Sequence, residues 1–254
     1  MKKLLWIVLF HLIFYSPFLP ALDDTGAIEG GNEGGVVRGL VKPVQRAIIS
    51  SQISARITSI PYLAGDSFKK GDLLVSFDCA FYQADLASVD AEYKSKQKIL
   101  ENNKQLMALN AMSEIDVAIS ESEVEIAQAE RRMRAIKVEQ CKIKAPYTGR
   151  VIDVMANEHE TVPADKEVLS ILNDQSLEIE LIVPSNWLNW LKVNQPFAFL
   201  VDETGKEFKA KITKIGAAVD PVSQTVKLTG SFDEETPNVL AGMSGAANFK
   251  GPVQ

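Results

Sequence analysis

Two adjacent lysines lie in a turn whose surroundings are typical of a cofactor-carrying domain. The stretch AGDSFKKGDLLVSFDC, residues 64–79, combines two Gly-Asp turns with a short strand and an alternating strand. A lysine amine in a carrier domain can hold a lipoyl or biotinyl group as a swinging arm. That chemistry needs a lysine at the tip of the tight hairpin joining the two halves of the domain, and Lys69 and Lys70 occupy a different turn. We expect ordinary turn residues and no cofactor.

The chain offers few residues for nucleophilic or acid–base catalysis. His159 is the only histidine beyond the apolar N-terminus, and its place in a predicted turn favours a solvated residue. Carboxylates are scattered along predicted helix faces, and no glycine-rich phosphate loop precedes a helix. The six methionines show no cluster that would bind copper. We expect no catalytic residue, no metal site and no enzyme activity.

The composition is that of an ordinary globular protein. The 254 residues are 46% hydrophobic and 24% charged, which leaves room for one to three small domains. A formal net charge of -6 provides no basic face for a nucleic acid. We therefore exclude nucleic-acid binding.

The N-terminus predicts export. Lys2 and Lys3 precede an apolar run from residue 4 to residue 15, and Pro17 and Pro20 interrupt it before it reaches the roughly 20 apolar residues of a membrane span. This pattern favours a signal peptide over residues 1–21, and the alternative is an uncleaved anchor helix. Residues 22–35 are glycine-rich and acidic, which is typical of a flexible leader. We expect an exported chain that begins near Leu22.

An internal repeat fixes much of the predicted architecture. Residues 56–78 align without a gap with residues 150–172, so that apolar positions coincide and Asp66 meets Glu160. Two such β segments cannot each bury a face alone, which predicts one small β-sandwich with pseudo-twofold symmetry. The second copy has His159 and Asp165 where the first has Gly65 and Gly71, so its turns need not share the same positive-φ geometry.

The segment between the two copies predicts a pair of long helices. Residues 80–140 contain no proline or glycine, and apolar residues recur every three or four positions, as in a two-helix coiled coil. Asn110 and an N-cap at Ser113 mark the reversal. The predicted seam runs along the first arm through Tyr82, Leu86, Val89, Tyr93, Lys96, Leu100, Asn103 and Met107, and along the second through Ile115, Ile119, Ser122, Ile126, Ala129, Met133, Ile136 and Gln140.

The only two cysteines flank these helices. Cys79 precedes the first arm and Cys141 follows the second, so a helical hairpin brings them to the same base. In an oxidising compartment such a pair favours a disulfide, and the alternative is two buried thiols at a domain junction. Two sulfurs with no nearby histidine fall short of a closed metal site.

The remaining sequence is rich in short strands. Alternating segments separated by turns between residues 174 and 250, with a short helix capped by Ser185, predict a compact β-barrel. Residues 36–49 are expected to add a strand to it. The predicted fold class is α+β, mainly β, with a long α-helical coiled-coil hairpin. A lipoyl-like β-sandwich of residues 50–79 and 141–173 is split by the hairpin of residues 80–140 and followed by the barrel of residues 174–250.

The chain resembles the periplasmic adaptors, or membrane fusion proteins, of HlyD-like and RND-type tripartite efflux and secretion systems. The resemblance covers nearly all of the chain after the leader. Four signatures carry it: RITSIPYLAGDSFKKGDLLVSFD (56–78), CKIKAPYTGRV (141–151), DPVSQTVKL (220–228) and LAGMSG (240–245). The order of half-lipoyl segment, hairpin, half-lipoyl segment and barrel is more specific than any single motif.

The resemblance implies a non-enzymatic transport role in the periplasm. In that family the hairpin tip meets an outer-membrane channel, and the lipoyl-like and barrel domains stack into a ring on an inner-membrane transporter, here expected to be RND-type. Many pump adaptors carry Arg, Leu and Ser at the tip, and the matching positions are Asn102, Leu106 and Ser113, so the arginine is replaced. The extra membrane-proximal domain of longer members is expected to be absent or vestigial. The alternative is a periplasmic coiled-coil scaffold or docking protein without a transport role.

Overall fold

The computed structural model describes residues 35–250. The predicted signal peptide, residues 1–21, and all but the last residue of the predicted leader lie outside this range. The described elements follow in chain order: β1 (Val36–Pro43), β2 (Arg46–Ser50), β3 (Ala55–Ser59), β4 (Ser67–Phe68), β5 (Leu73–Phe77), α1 (Ala80–Ala108), α2 (Glu114–Glu139), β6 (Lys142–Lys144), β7 (Gly149–Val154), β8 (Thr161–Val162), β9 (Glu167–Leu172), β10 (Leu177–Pro184), a 3₁₀ helix (Ser185–Asn189), β11 (Pro196–Val201), β12 (Lys206–Asp220), β13 (Thr225–Phe232) and β14 (Ser244–Asn248).

The predicted barrel is present and is closed. Its six strands follow the order β1-β10-β13-β12-β11-β14, and closure leaves no strand edge free to pair with another chain. Gly39 and Gly245 face each other on β1 and β14, and a Cβ at either would lie within 2.8 Å of the Phe199 ring. The two glycines therefore make room for the buried ring of Phe199 in the barrel core.

The short helix before β11 differs from the prediction at its first turn. It is a 3₁₀ helix that begins at Ser185, with Pro184 in the N-cap position and no side-chain cap. The predicted Ser185 cap is wrong because Ser185 is the first residue of the helix and not the residue before it; its backbone N–H donates to the Gln224 carbonyl at 2.8 Å. The helix places Trp187 and Trp190 against Phe249 at the end of the barrel core.

The two repeat copies, together with β2 and β6, form two four-stranded sheets with one shared core. The strand orders are β2-β9-β7-β4 and β6-β5-β3-β8, so each sheet contains strands from both copies. The loop hydrogen bonds repeat as well. The Ile57 N–H donates to the Glu160 carbonyl at 2.9 Å, and the Val151 N–H, at the equivalent position, donates to the Asp66 carbonyl at 3.0 Å.

The turns of the second copy do share the positive-φ geometry of the first, which corrects the expectation from their sequence. Gly65 and Gly71 have φ angles of 93° and 91°, and the equivalent His159 and Asp165 have φ angles of 69° and 67°. Non-glycine residues rarely adopt this region, although Asp and His do so more often than most. The hydrogen bonds repeated across the pseudo-twofold axis hold both copies in one backbone path and so override the local preference.

Residues 36–49 form two strands rather than one. β1 lies in the barrel between β10 and β14, whereas β2 pairs with β9 in the sandwich. The chain turns between them at residues 44 and 45, where the Val44 N–H donates to the Ser176 carbonyl at 2.9 Å. This segment therefore connects the barrel to the sandwich. Neither described α-helix is long and apolar enough to cross a bilayer.

Candidate functional site

The two α-helices leave and re-enter the sandwich at neighbouring strands. α1 follows β5 and α2 precedes β6, and these two strands pair in the same sheet. α1 has 29 residues, which corresponds to about 42 Å from its first to its last residue. α1 contains no buried residue, and α2 contains three, Val117, Ser120 and Ala127. The helix pair is therefore exposed to solvent along most of its length.

A disulfide closes the base of the helix pair, as the positions of the cysteines predict. Cys79 and Cys141 are bonded, with their Cα atoms 5.8 Å apart. Beside them the Asp78 carboxylate accepts hydrogen bonds from the Ala80 N–H at 3.2 Å and from Arg56 at 2.9 Å. The hydrogen bond from the Ala80 N–H, and to a smaller extent the bond from Arg56, holds the pKa of Asp78 below its usual range. The start of α1 is thus tied both to the end of α2 and to β3.

Ion pairs connect the two helices and show their relative direction. As residue numbers rise along α1 the partners on α2 fall, so the helices are antiparallel. Hydrogen bonds to the Asp90 carboxylate lower its pKa; the bond from Lys94 has the larger effect and the bond from Arg131 the smaller one. The interhelical pairs are Asp85–Arg134 (3.2 Å), Asp90–Arg131, Lys96–Glu123 (3.0 Å) and Lys104–Glu121 (2.7 Å).

The predicted seam is supported on α1 and is wrong on α2. On α1, Leu86, Val89, Tyr93 and Leu100 are half-buried. The residues of α2 that face α1 are Val117, Ser120, Val124 and Ala127, with Arg131 and Arg134 nearer the base. The large apolar residues predicted to face α1 are instead exposed: Ile115 (72%), Ile119 (54%), Ile126 (63%), Met133 (58%) and Ile136 (53%).

A five-residue reversal, residues 109–113, forms the tip. Asn110 adopts a φ of 58°, and the Ala111 N–H donates to the Leu106 carbonyl at 2.8 Å, which ends α1. Ser113 is the N-cap of α2, as predicted, and its hydroxyl accepts from the Asp116 N–H at 3.2 Å. Both helix ends at the tip are therefore satisfied by local hydrogen bonds.

The three residues predicted to dock a channel lie near this tip. Asn102 and Ser113 are exposed, and Leu106 is half-buried. The Ser113 hydroxyl also donates to the Asp116 carboxylate at 2.7 Å, so it is occupied within its own cap. Sequence reasoning missed Leu109, which is 76% exposed at the turn itself. A large apolar residue inside a reversal, where polar residues are usual, is the signal that could have identified it.

Lys69 and Lys70 lie in an ordinary tight turn, away from the helix pair. The Lys69 N–H donates to the Asp72 carboxylate at 2.8 Å, and the Lys70 N–H donates to the Thr148 hydroxyl at 3.1 Å. The Lys69 N–H and then the Tyr62 hydroxyl lower the pKa of Asp72, and the same carboxylate raises the pKa of Tyr62. Asp72 therefore organises this turn through the backbone of Lys69.

Residues with metal-binding or catalytic chemistry stand apart from one another. His159 is exposed in the turn described above, and its backbone N–H donates to the Ile57 carbonyl at 2.9 Å. Between residues 35 and 250, no three side chains of His, Cys, Asp or Glu are grouped closely enough to hold a metal ion. The exposed helix pair and its tip are therefore the candidate site.

The chain is similar in sequence to several known proteins. No family model matches the chain. It is 28% identical over 209 residues to an uncharacterised protein of Haemophilus influenzae, covering 81% of this chain and 54% of that relative. It is 25% identical over 195 residues to the probable efflux pump periplasmic linker protein SepA of Pseudomonas putida, covering 77% of this chain and 47% of that relative. The chain thus spans about half the length of these curated relatives.

A solved structure has a similar fold. A crystal structure of a MacA-MexA chimeric protein, which contains the Pseudomonas aeruginosa MexA alpha-hairpin domain, matches with a TM-score of 0.76. The match is 24% identical in sequence and covers 87% of this chain and 81% of that chain. At this identity the likeness concerns the fold alone.

Proposed function

Since the chain belongs to the periplasmic adaptor, or membrane fusion protein, family, we propose that it is the adaptor subunit of a tripartite efflux or secretion system. In this role it bridges an inner-membrane transporter to an outer-membrane channel and catalyses no reaction. Energy comes from the transporter, and the adaptor supplies binding surfaces. Relatives whose names describe efflux pump periplasmic linkers support the proposal.

The observation that carries the proposal is the exposed helix pair with an apolar tip. A pair about 42 Å long, stapled by a disulfide at its base, is a suitable spacer between two partners. Only three residues of the described helix pair are buried, all of them on α2, so the faces that point away from the other helix are exposed to possible partners. We assign the channel contact to the tip, through Asn102, Leu106 and Ser113 together with Leu109.

We also propose roles for the other domains and for the N-terminus. We assign the lipoyl-like domain to residues 50–79 and 141–173, the coiled-coil hairpin to residues 80–140 and the barrel domain to residues 174–250. The lipoyl-like and barrel domains would form a ring of copies on an RND-type transporter. A cleaved signal peptide over residues 1–21 would deliver the chain to the periplasm, where it would associate with the inner membrane through its transporter.

Co-purification tests this function without knowledge of the transported substrate. The full chain, tagged at its C-terminus and expressed in its native host, is crosslinked in cells, and its partners are identified by mass spectrometry. We expect one inner-membrane transporter and one outer-membrane channel, both lost when the tag is placed on an unrelated exported protein. Recovery of periplasmic proteins only would contradict the adaptor role and favour the scaffold alternative.

A further inference from the structure

The disulfide at the base of the helix pair is accessible through one of its two cysteines. Cys79 is half-buried and borders a groove of about 560 Å³. Cys141 is only 1% exposed and belongs to the core of the sandwich. Thiol–disulfide exchange requires a third sulfur to approach one sulfur of the pair directly. Cys79 is therefore the cysteine that another protein can approach.

The groove beside Cys79 carries more positive than negative charge. Lys142 and Lys144 line it together with Glu139. The neighbouring Asp78 carboxylate is already paired, as described above. The thiolate is the reacting form of cysteine, and nearby lysines favour that form. The surroundings of Cys79 thus favour reaction as well as access.

The two cysteines also lie at opposite ends of their helices. Cys79 is the N-cap of α1, and its side chain makes no capping hydrogen bond. Cys141 follows Gln140, the C-cap of α2, and its Sγ lies 3.5 Å from the Lys137 carbonyl oxygen. A helix N-terminus stabilises a negative charge, whereas a C-terminus stabilises a positive one. In the reduced chain, Cys79 is therefore the better thiolate, and Cys141 is a buried thiol that donates to the Lys137 carbonyl.

We propose that Cys79 is the exchange site of the folded chain, through which a thiol–disulfide oxidoreductase oxidises the reduced cysteine pair. The Cys79 thiolate attacks the disulfide of the oxidised enzyme, which forms a mixed disulfide and releases one enzyme thiolate. Cys141 then loses its proton to solvent, and its thiolate attacks the Cys79 Sγ and expels the second enzyme thiolate. The two thiols of the chain become a disulfide, and the enzyme disulfide becomes two thiols that take up the two protons.

The second step depends on the fold around the helix base. Cys79 and Cys141 are separated by 62 residues in the sequence, yet their Cα atoms are 5.8 Å apart. The pairing of β5 with β6 brings them together, and the Phe77 N–H donates to the Cys141 carbonyl at 2.9 Å. Cys141 can therefore displace the enzyme only after the strands on either side of the helix pair have paired. The inference rests on the exported location proposed above and not on the transport partners.

Reaction of the reduced, folded chain with oxidised glutathione tests the assignment. The chain beginning at Leu22 is prepared as Cys141→Ala, which keeps Cys79, and as Cys79→Ala, which keeps Cys141. Mass spectrometry after acid quenching follows the addition of one glutathione. We expect Cys79 to react at least about ten-fold faster than Cys141, because its thiolate is both accessible and favoured. In concentrated urea, which unfolds the chain, the two rates should become similar.

A limiting amount of iodoacetamide added to the reduced wild type gives a second measurement that needs no substitution. Peptide mapping should find the label on Cys79, while circular dichroism at 222 nm shows that the helices remain formed. Equal or greater labelling of Cys141, or equal rates for the two folded variants, would overturn the proposal. Loss of the helices on reduction would do the same, since the assignment depends on the fold. None of these results touches the adaptor function, which the recovery of transporter and channel tests separately.

Discussion

Removing the disulfide between Cys79 and Cys141 lowers the free energy of unfolding of the sandwich and helix pair by about 4 kcal/mol, because the bond closes a loop with a sequence separation of 62 residues. The expected change is large because a bond that closes a loop of this length restricts the unfolded chain strongly. The variant is Cys79→Ala with Cys141→Ala in the chain beginning at Leu22. With a urea slope of about 2 kcal/mol per molar, the unfolding midpoint falls by roughly 2 M.

Two spectroscopic signals separate this effect from a general loss of stability. Circular dichroism at 222 nm follows α1 and α2, whereas the fluorescence of Trp187 and Trp190 follows the barrel, against whose core both side chains pack. Reductant should shift the helix signal of the wild type as far as the alanine variant and leave the tryptophan signal in place. An unchanged helix midpoint in reductant would show that the disulfide does not support the pair.

A charge introduced at Leu106 or Ser113 should weaken binding to the channel without weakening binding to the transporter. Leu106→Asp places a carboxylate where an apolar contact with the channel is expected, and burying an unpaired charge is costly. We expect recovery of the channel to fall at least about ten-fold, which corresponds to about 1.4 kcal/mol, while recovery of the transporter stays at the wild-type level. Ser113→Lys should act in the same way, and circular dichroism checks that the helices remain folded.

The matched control for the tip is a charge reversal on the shaft of the same helix. Glu92→Lys alters an exposed position of α1 away from the tip, so channel recovery should not change. If Leu106→Asp and Ser113→Lys both recover the channel in wild-type amounts, docking at the tip in this form is wrong.

The sandwich and the two helices could be predicted from simple patterns in the sequence. The gapless repeat of residues 56–78 and 150–172 predicts a shared sandwich because matched apolar positions have to be buried together, and the structure pairs strands of both copies in each sheet. The lack of glycine and proline in residues 80–140 predicts two helices for an equally direct reason. The positive φ of His159 and Asp165 was not predictable from residue type, since the loop contacts of the repeat impose it.

Periodicity alone could not predict which face of α2 packs against α1. The residues Ile115, Ile119, Ile126 and Met133 form the most apolar stripe of that helix, and a rule that buries the most apolar face against the nearest helix assigns them to α1. The structure instead buries Val117, Ser120 and Ala127 on the face of α2 toward α1, and the ion pairs of Asp90 with Arg131 and of Lys96 with Glu123 join the two helices in this orientation. Periodicity reveals that a stripe exists but not what covers it.

Site-specific photo-crosslinking at the tip tests the bridge most directly. A photoreactive phenylalanine analogue replaces Leu109, which is 76% exposed at the tip, or Phe81, which is 75% exposed near the base of α1. We expect irradiated cells to yield a crosslink to an outer-membrane protein from position 109 and none from position 81. Crosslinks from position 109 only to periplasmic proteins, in cells where the chain is correctly exported, would contradict it.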